Sequence, residues 1–153
     1  MIKGKYLSYN DDLTKAFEIR KKVFEDEVGI DHDIVFDNKD NIAVHAVAFA
    51  GEKAVASGRI LPEGEIYKIG KIAVLSEHRG NCYGEFIVRM LVDRAFAAGV
   101  KQVYVDALKQ SEGFYKKLNF KECGEAFDDG NMTYQPMKLS AEDFVTGCGH
   151  KCI

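Results

Sequence analysis

The chain has 153 residues, 46% of them hydrophobic and 29% charged, the composition of one ordinary folded domain rather than a disordered or fibrous protein. Lys+Arg number 21 and Asp+Glu 24, a formal net charge of -3, which argues against a nucleic-acid binder with its usual basic excess. No apolar run reaches the ~18 residues of a membrane span, so neither membrane nor nucleic acid is an expected partner.

The first six residues lack the hydrophobic region of a signal peptide, and the cytoplasm is the expected location. Cys82, Cys123, Cys148 and Cys152 are scattered through a chain long enough to build a core unaided, so reduced thiols are expected.

Residues 2–9 read as a first strand, ended by Asn10-Asp11-Asp12, a helix-start signal. Leu13, Ala16, Phe17, Arg20, Val23 and Phe24 then recur at helical spacing. Arg20 interrupts that stripe, either snorkelling at its edge or buried with a role. From Asp31 to Asn41 the chain turns acidic, with Asp31, Asp33, Asp37 and Asp40. This reads as a loop, either simply solvated or a lip attracting a cationic amine. Its spacing does not match a calcium-binding loop.

Residues 43–50 and 53–61 form an expected hairpin, Pro62-Glu63-Gly64 a turn, and 65–75 a third strand. Gly70 inside that strand marks a bulge or a close backbone approach. Residues 83–98 make the clearest helix, with Gly99 as its stop. Residues 102–107 form a strand and 111–118 a short helix. Two further strands near 120–127 and 132–139 flank the turn Asp128-Asp129-Gly130-Asn131. The expected fold is α+β, with a mainly antiparallel sheet and two or three helices.

Glu77-His78-Arg79-Gly80-Asn81-Cys82-Tyr83-Gly84 lies between a strong strand and the strongest helix. Such a turn aims backbone N–H groups and the positive helix end at one point, an anion site with phosphate as its usual occupant. Arg79 can add a charge-assisted bond. Neither the GxxxxGK[ST] loop nor GxGxxG is present, which disfavours nucleotide triphosphates and dinucleotides.

The stretch Ile72-Ala73-Val74, then Arg79-Gly80-x-x-x-Gly84, then Phe114-Tyr115-x-x-Leu118-x-Phe120, resembles the GNAT superfamily of acetyl-CoA-dependent N-acyltransferases. Upstream, Arg20-x-x-Val23-Phe24-x-x-Glu27-x-Gly29-Ile30, His45 and Gly58-Arg59-Ile60 look like a small bacterial branch of it. The resemblance spans residues 1–139 as an acetyltransferase domain and leaves 140–153 as a C-terminal extension. It implies a central sheet of about seven strands flanked by helices, with two strands, near Lys71–Leu75 and Val103–Ala107, splaying apart at the cosubstrate.

The resemblance further implies roles. Ile72, Ala73 and Val74 would pair with the pantetheine arm. Arg79, Gly80, Asn81, Cys82, Tyr83 and Gly84 would hold the pyrophosphate of acetyl-CoA. Tyr115 would protonate the departing thiolate, although by periodicity alone it is a helix aromatic packed beside Phe114 and Phe120. The acceptor would be a small-molecule or peptide amine, attacked directly in a ternary complex, with no metal required. Homodimers are common among such relatives.

Four positions depart from the family pattern. Cys82 replaces a glycine of the pyrophosphate loop and would crowd the phosphates if the backbone there needs positive φ; alternatively, its thiol gains reactivity at a helix start. Leu108 replaces Gln or Asn, Asn119 replaces a glycine, and Tyr134 stands where the branch often has histidine. Asp37, His45, Glu65, Asp106 and Glu112 are all conceivable bases, with His45 more simply a core histidine. Cys148, His150 and Cys152 are metal-ligand types in a tail that is otherwise an incidental extension. Besides an enzyme, a non-catalytic CoA-binding sensor and a thiol- or metal-responsive regulator fit these departures.

Overall fold

The computed structural model describes residues 2–144; Cys148, His150 and Cys152 lie outside them. Strand β1 (Lys3–Leu7) leads into α1 (Thr14–Arg20), which continues directly as a π-helical segment (Lys21–Glu27). A short helix α2 (His32–Val35) interrupts the expected acidic loop. Then come β2 (Val44–Ala50), β3 (Lys53–Glu63), β4 (Ile66–Val74), α3 (Tyr83–Ala97) and β5 (Gln102–Leu108). The chain closes with α4 (Glu112–Lys117), β6 (Lys121–Glu122), β7 (Phe127–Asp129) and β8 (Met132–Ser140).

One sheet of eight strands runs β1-β2-β3-β4-β5-β8-β6, with β7 also paired to β8. Every pairing is antiparallel except β4–β5. A parallel pair needs a crossover, and α3 supplies it. Its apolar side, with Ile87, Val88, Leu91, Val92 and Ala95, packs on one face of the sheet. Helix α1 covers the other face through Ala16 and Ile19, continued by Val23 and Phe24. Strand β3 is therefore buried on both sides, from Ala54 to Leu61, which is why it reads as a near-continuous apolar run.

Two boundaries differ from the sequence reading for visible reasons. Pro62 extends β3 instead of ending it, pairing with Tyr67. The β2 ladder stops at Val44↔Ile60, so the missing N–H of Pro62 falls beyond the reach of β2. The strand expected near 120–127 is broken into β6 and β7, because the Gln135 side chain donates to Gly124 O at 2.9 Å between them. This break raises the count from about seven strands to eight.

Gly58 sits where β3 passes under α3. A Cβ there would meet Ile72 Cδ1 at 2.6 Å and Ile87 Cγ2 at 2.7 Å. Gly58→Ala should therefore cost about 1–3 kcal/mol by overpacking. Thermal unfolding should show a midpoint lowered by about 2–4 °C per kcal/mol.

Candidate active site

Strands β4 and β5 pair only at Tyr67↔Val103, Lys68↔Tyr104 and Ile69↔Val105, and then separate. The cause is a bulge in β4. Ser57 pairs with Ala73 and Arg59 with Gly70, so Lys71 and Ile72 together oppose Gly58. Lys71 takes the left-handed conformation, φ 54°, uncommon for a residue with a side chain. The inserted residue reverses the alternation of the strand. Tyr67 and Ile69 pack towards α3, and after the bulge Ile72 and Val74 do so. Lys71 points to the opposite face, where its Nζ donates to Ile34 O at 2.7 Å.

Two cavities open at this separation. One, of about 620 Å³, is lined by Ile72 and Val74 of β4 and by Arg79, Gly80, Cys82, Tyr83 and Gly84 of the following turn. Ala73 faces away into the α1-side core, and Asn81 lies outside the lining. The Asn81 amide donates instead to His78 O and Arg79 O, both at 3.3 Å, and so braces the turn.

At this turn Gly80 has φ 81° and Cys82 φ 71°. No side chain caps α3, and its first helical bond is Phe86 N–H to Cys82 O at 3.0 Å. The N–H groups of Tyr83 and Gly84 therefore precede the helical ladder and face the cavity end of the helix dipole. A Cβ on Gly84 would touch Phe114 at 3.4 Å and Val74 at 3.5 Å, so glycine lets the helix start sit close to both walls.

The Arg79 side chain is engaged elsewhere. It forms a two-pronged ion pair with Glu27 and donates from Nε to Val74 O at 3.1 Å. This pair ties the π-helical segment to the turn and brings Phe24, Glu27 and Val28 into the cavity wall. Sequence periodicity gave Phe24 only a core role; the Glu27 spacing in the upstream motif was the available signal.

Cys82 occupies a left-handed position that costs a side-chain-bearing residue about 1–2 kcal/mol. It is disulfide-bonded, contrary to the expected reduced thiol; Cys123 is the free cysteine among the described residues. Asn119 also takes positive φ, 73°, which asparagine tolerates, and its amide donates to Asp143 O at 3.0 Å.

The second cavity, of about 510 Å³, opens on the sheet face opposite α3, lined by Gly70, Lys71, Asp106, Tyr134 and the α2 segment. Tyr134 stacks on Phe127 with ring centroids 5.6 Å apart. Asn131 of the β7–β8 turn donates to Gly29 O at 3.2 Å, so the hairpin roofs this cavity against the 29–34 segment.

Its inner wall is a buried ion network. Arg20, fully enclosed, donates to both Asp40 oxygens at 2.8 and 3.0 Å and packs over Phe17 and Phe36. The buried reading of Arg20 is the one realised. Arg59 pairs with both Asp37 and Asp40. Burial raises the Asp37 carboxyl, but the bonds and charge of Arg59, with that of Lys71, outweigh it and hold it at about 2. Burial, then the charges of Arg59 and Arg20, lower the Lys71 ammonium to about 8. Asp37 and Asp40 are thus spent on arginines and form no solvated acidic lip.

The two cavities share Phe24, Ile72, Leu108, Ser111 and Tyr115. Tyr115 is held by edge-on contacts with Phe114 and Phe120, at 5.0 and 5.4 Å. Burial pushes its hydroxyl well above the ordinary tyrosine value. Tyr115 packs between its aromatic neighbours, as periodicity alone suggests, and it also borders the junction. Leu108 gives that junction an apolar wall.

Of the conceivable bases, Asp37 and Asp106 line the second cavity, and Asp106 pairs with Lys68 at 2.9 Å. Glu65 is exposed in a turn, and Glu112 pairs with Lys109 and Lys116. His45 is fully buried. Its Nε2 donates to Asp40 O at 3.0 Å, and burial lowers its pKa, as for a neutral core histidine.

The splayed parallel pair and the glycine-rich start of α3 beside it thus frame one cleft through the edge of the β4–β5 ladder. Residues 29–141 match the acetyltransferase (GNAT) domain family, and the chain belongs to that family. It is 31% identical over 130 residues to the uncharacterized N-acetyltransferase YjcF of Bacillus subtilis, covering 84% of this chain and 93% of that one. In fold it is similar to Escherichia coli ElaA, with TM-score 0.79, 21% identity and coverage of 90% and 99% of the two chains. An aminoglycoside 6'-N-acetyltransferase solved with coenzyme A superposes with TM-score 0.70, 15% identity and coverage of 90% and 96%.

The ion network makes an acid-stability prediction. A carboxylate held at about 2 against ~3.9 when unfolded contributes about 2 kcal/mol above pH 4, lost as pH falls through 2. Urea midpoints should fall steeply between pH 4 and 2, and less so in Asp37→Asn. For the turn, Cys82→Gly should remove the left-handed strain and the intruding side chain. Calorimetry under reducing conditions should then show coenzyme A bound more tightly than by wild type or Cys82→Ala.

Proposed function

We propose that the protein transfers an acetyl group from acetyl-CoA to a primary amine by direct attack in a ternary complex. The observation that carries this reading is the junction of the two cavities at Ile72, Leu108, Ser111 and Tyr115. Two reactants entering from opposite sides of the sheet would meet there, which lowers the barrier through proximity. The first cavity would take the cosubstrate and the second the amine.

Ile72 and Val74 would run along the pantetheine arm, as a strand edge recognises an amide-bearing chain. The N–H groups of Tyr83 and Gly84 would receive the pyrophosphate, with the helix dipole adding to them. Because the Arg79 guanidinium is paired with Glu27, its contribution would be to shape the turn more than to neutralise phosphate.

In the transfer, the amine nitrogen bonds to the acetyl carbon, the carbon–sulfur bond breaks, and the amine sheds a proton. The thiolate leaves and must be protonated. A buried phenol keeps its proton throughout the neutral range, so Tyr115 would donate a hydrogen bond to the leaving sulfur as charge builds there. Proton delivery along that bond would be balanced by the proton the amine sheds, which would return through water to the Tyr115 oxygen, so that no proton is gained or lost overall. The apolar Leu108 wall would limit competing water.

Tyr115→Phe keeps the aromatic packing and deletes the donor. With acetyl-CoA and an amine panel, free-thiol release should fall about 100-fold or more in kcat, while coenzyme A affinity stays within about twofold. The side chain of Cys82 in the phosphate turn favours a second reading, a CoA-binding sensor. That reading requires tight coenzyme A binding with no thiol release from any amine.

A further inference from the structure

Lys71 is the inserted residue of the β4 bulge, and its side chain enters the second cavity beside residues from three other segments. Nearby, Arg20 pairs with Asp40, and Arg59 with both Asp37 and Asp40. Both carboxylates are already held by the two guanidinium groups, which balance them one for one. Lys71 adds a third cation with no carboxylate of its own. Among the described residues its Nζ has one protein acceptor, the Ile34 carbonyl at 2.7 Å, of the three that an ammonium can take. The inner wall therefore carries one surplus positive charge in a largely enclosed place. Arg59 Nε, also enclosed, has no acceptor.

The acids elsewhere in this cavity do not answer that charge. Asp106 is engaged with Lys68 at 2.9 Å. Asp33, Glu63 and Asp129 line the cavity but are exposed, so water screens them. The cavity is thus polarised, basic within and acidic at its mouth.

Lys71 is also the chain neighbour of Ile72, which borders the junction where Tyr115 stands. Lys71 lines the same cavity as the junction residues Ile72 and Tyr115, so an acceptor whose amine lies at the junction would extend its remaining groups into the cavity that holds the surplus charge.

We propose that the acceptor is an amine carrying a nearby carboxylate, that is an amino acid, and that Lys71 binds this carboxylate. The inference rests on the acetyl-transfer reading above and specifies its substrate class. Lys71 acts as a binding residue, anchoring the acceptor so that its nitrogen lies at the junction. Burial first, and then the charge of Arg59, depresses the Lys71 ammonium, and an arriving carboxylate would favour its protonated form. Amines without an acid group, such as polyamines or protein lysines, would leave that charge unanswered and are disfavoured.

The test uses the full chain with acetyl-CoA and the twenty common amino acids, each beside its carboxamide and, where one exists, its decarboxylated amine. Free-thiol release should favour at least one amino acid over its amide and amine by about tenfold or more in kcat/KM, the worth of a charge-assisted hydrogen bond. Lys71→Met should cut the acid-over-amide ratio of kcat/KM by a similar factor, through a higher KM for that amino acid, and Lys71→Arg should restore most of the preference.

Equal use of amides or simple amines by the wild type overturns the proposal while leaving acetyl transfer standing, as does a Lys71→Met effect shared by all acceptors. Thiol release from no amine at all overturns the acetyl-transfer reading instead. Calorimetry with the twenty N-acetyl-amino acids and their amides then decides the carboxylate site independently. Binding of an acid but not its amide, lost in Lys71→Met, supports it, and indifference between acid and amide, or no binding, overturns it.

Discussion

The bulge at Lys71 is the constraint on which the site depends. One residue too many in β4 against β3 ends the β4–β5 ladder after Ile69↔Val105. Past that point the two strands no longer satisfy each other's backbone groups, and such groups need partners when enclosed. The same insertion turns Ile72 and Val74 towards the first cavity and Lys71 into the second. A single left-handed residue thereby opens the sheet and allots side chains to its two sides. The strain of holding a lysine at φ 54° is of the order of 1–3 kcal/mol. It is offset by the intact β3 pairing on either side and by the bond from Lys71 to Ile34.

The ion network serves this opening in another way. Removing either partner of a buried pair strands the other charge, typically at a cost of about 3–5 kcal/mol. Arg20 on α1, Arg59 on β3 and the two aspartates of the 37–40 segment therefore hold one another in place. Fixing that segment also fixes Ile34, whose carbonyl receives Lys71. The β7–β8 turn leans on the same stretch, where a Cβ on Gly130 would press on Ile34 at 2.6 Å. A polar cluster so enclosed positions the second cavity more than it adds net stability.

Elements with long periodic patterns were legible in the sequence. Helix α3 with its glycine stop, β5 and β8 fall where spacing puts them, because each presents a regular buried face to the core. What spacing missed depended on contacts from far along the chain. The π-helical continuation of α1 carries the same apolar stripe as an ordinary helix, and its link to the turn is Glu27 with Arg79, 52 residues away. The acidic run at 31–40 looked solvated because its arginine partners lie 19 to 22 residues off, on elements whose surroundings are apolar. For the site, family likeness pointed to a turn and a tyrosine that line the cavities. It could not separate Ile72 and Val74, which line the cavity, from Ala73, which alternation sends into the core.

The charge of the glycine-rich turn before α3 is also set by its partners. In sequence, Arg79 beside two glycines looks like a cation offered to an anion. In the fold its guanidinium closes on Glu27, which cancels its formal charge at short range. What remains for an anion is direction: N–H groups of Tyr83 and Gly84 ahead of the helical ladder, and an α3 start with no side-chain cap. Backbone donors and a helix dipole act within about one turn of the helix end, so selection there depends on shape and close approach more than on net charge. That makes a left-handed Cys82 consequential, because a Cβ and sulfur in this turn occupy the short distance over which such donors are effective. The surplus positive charge of the second cavity's inner wall stands instead at Lys71, across the junction from this turn.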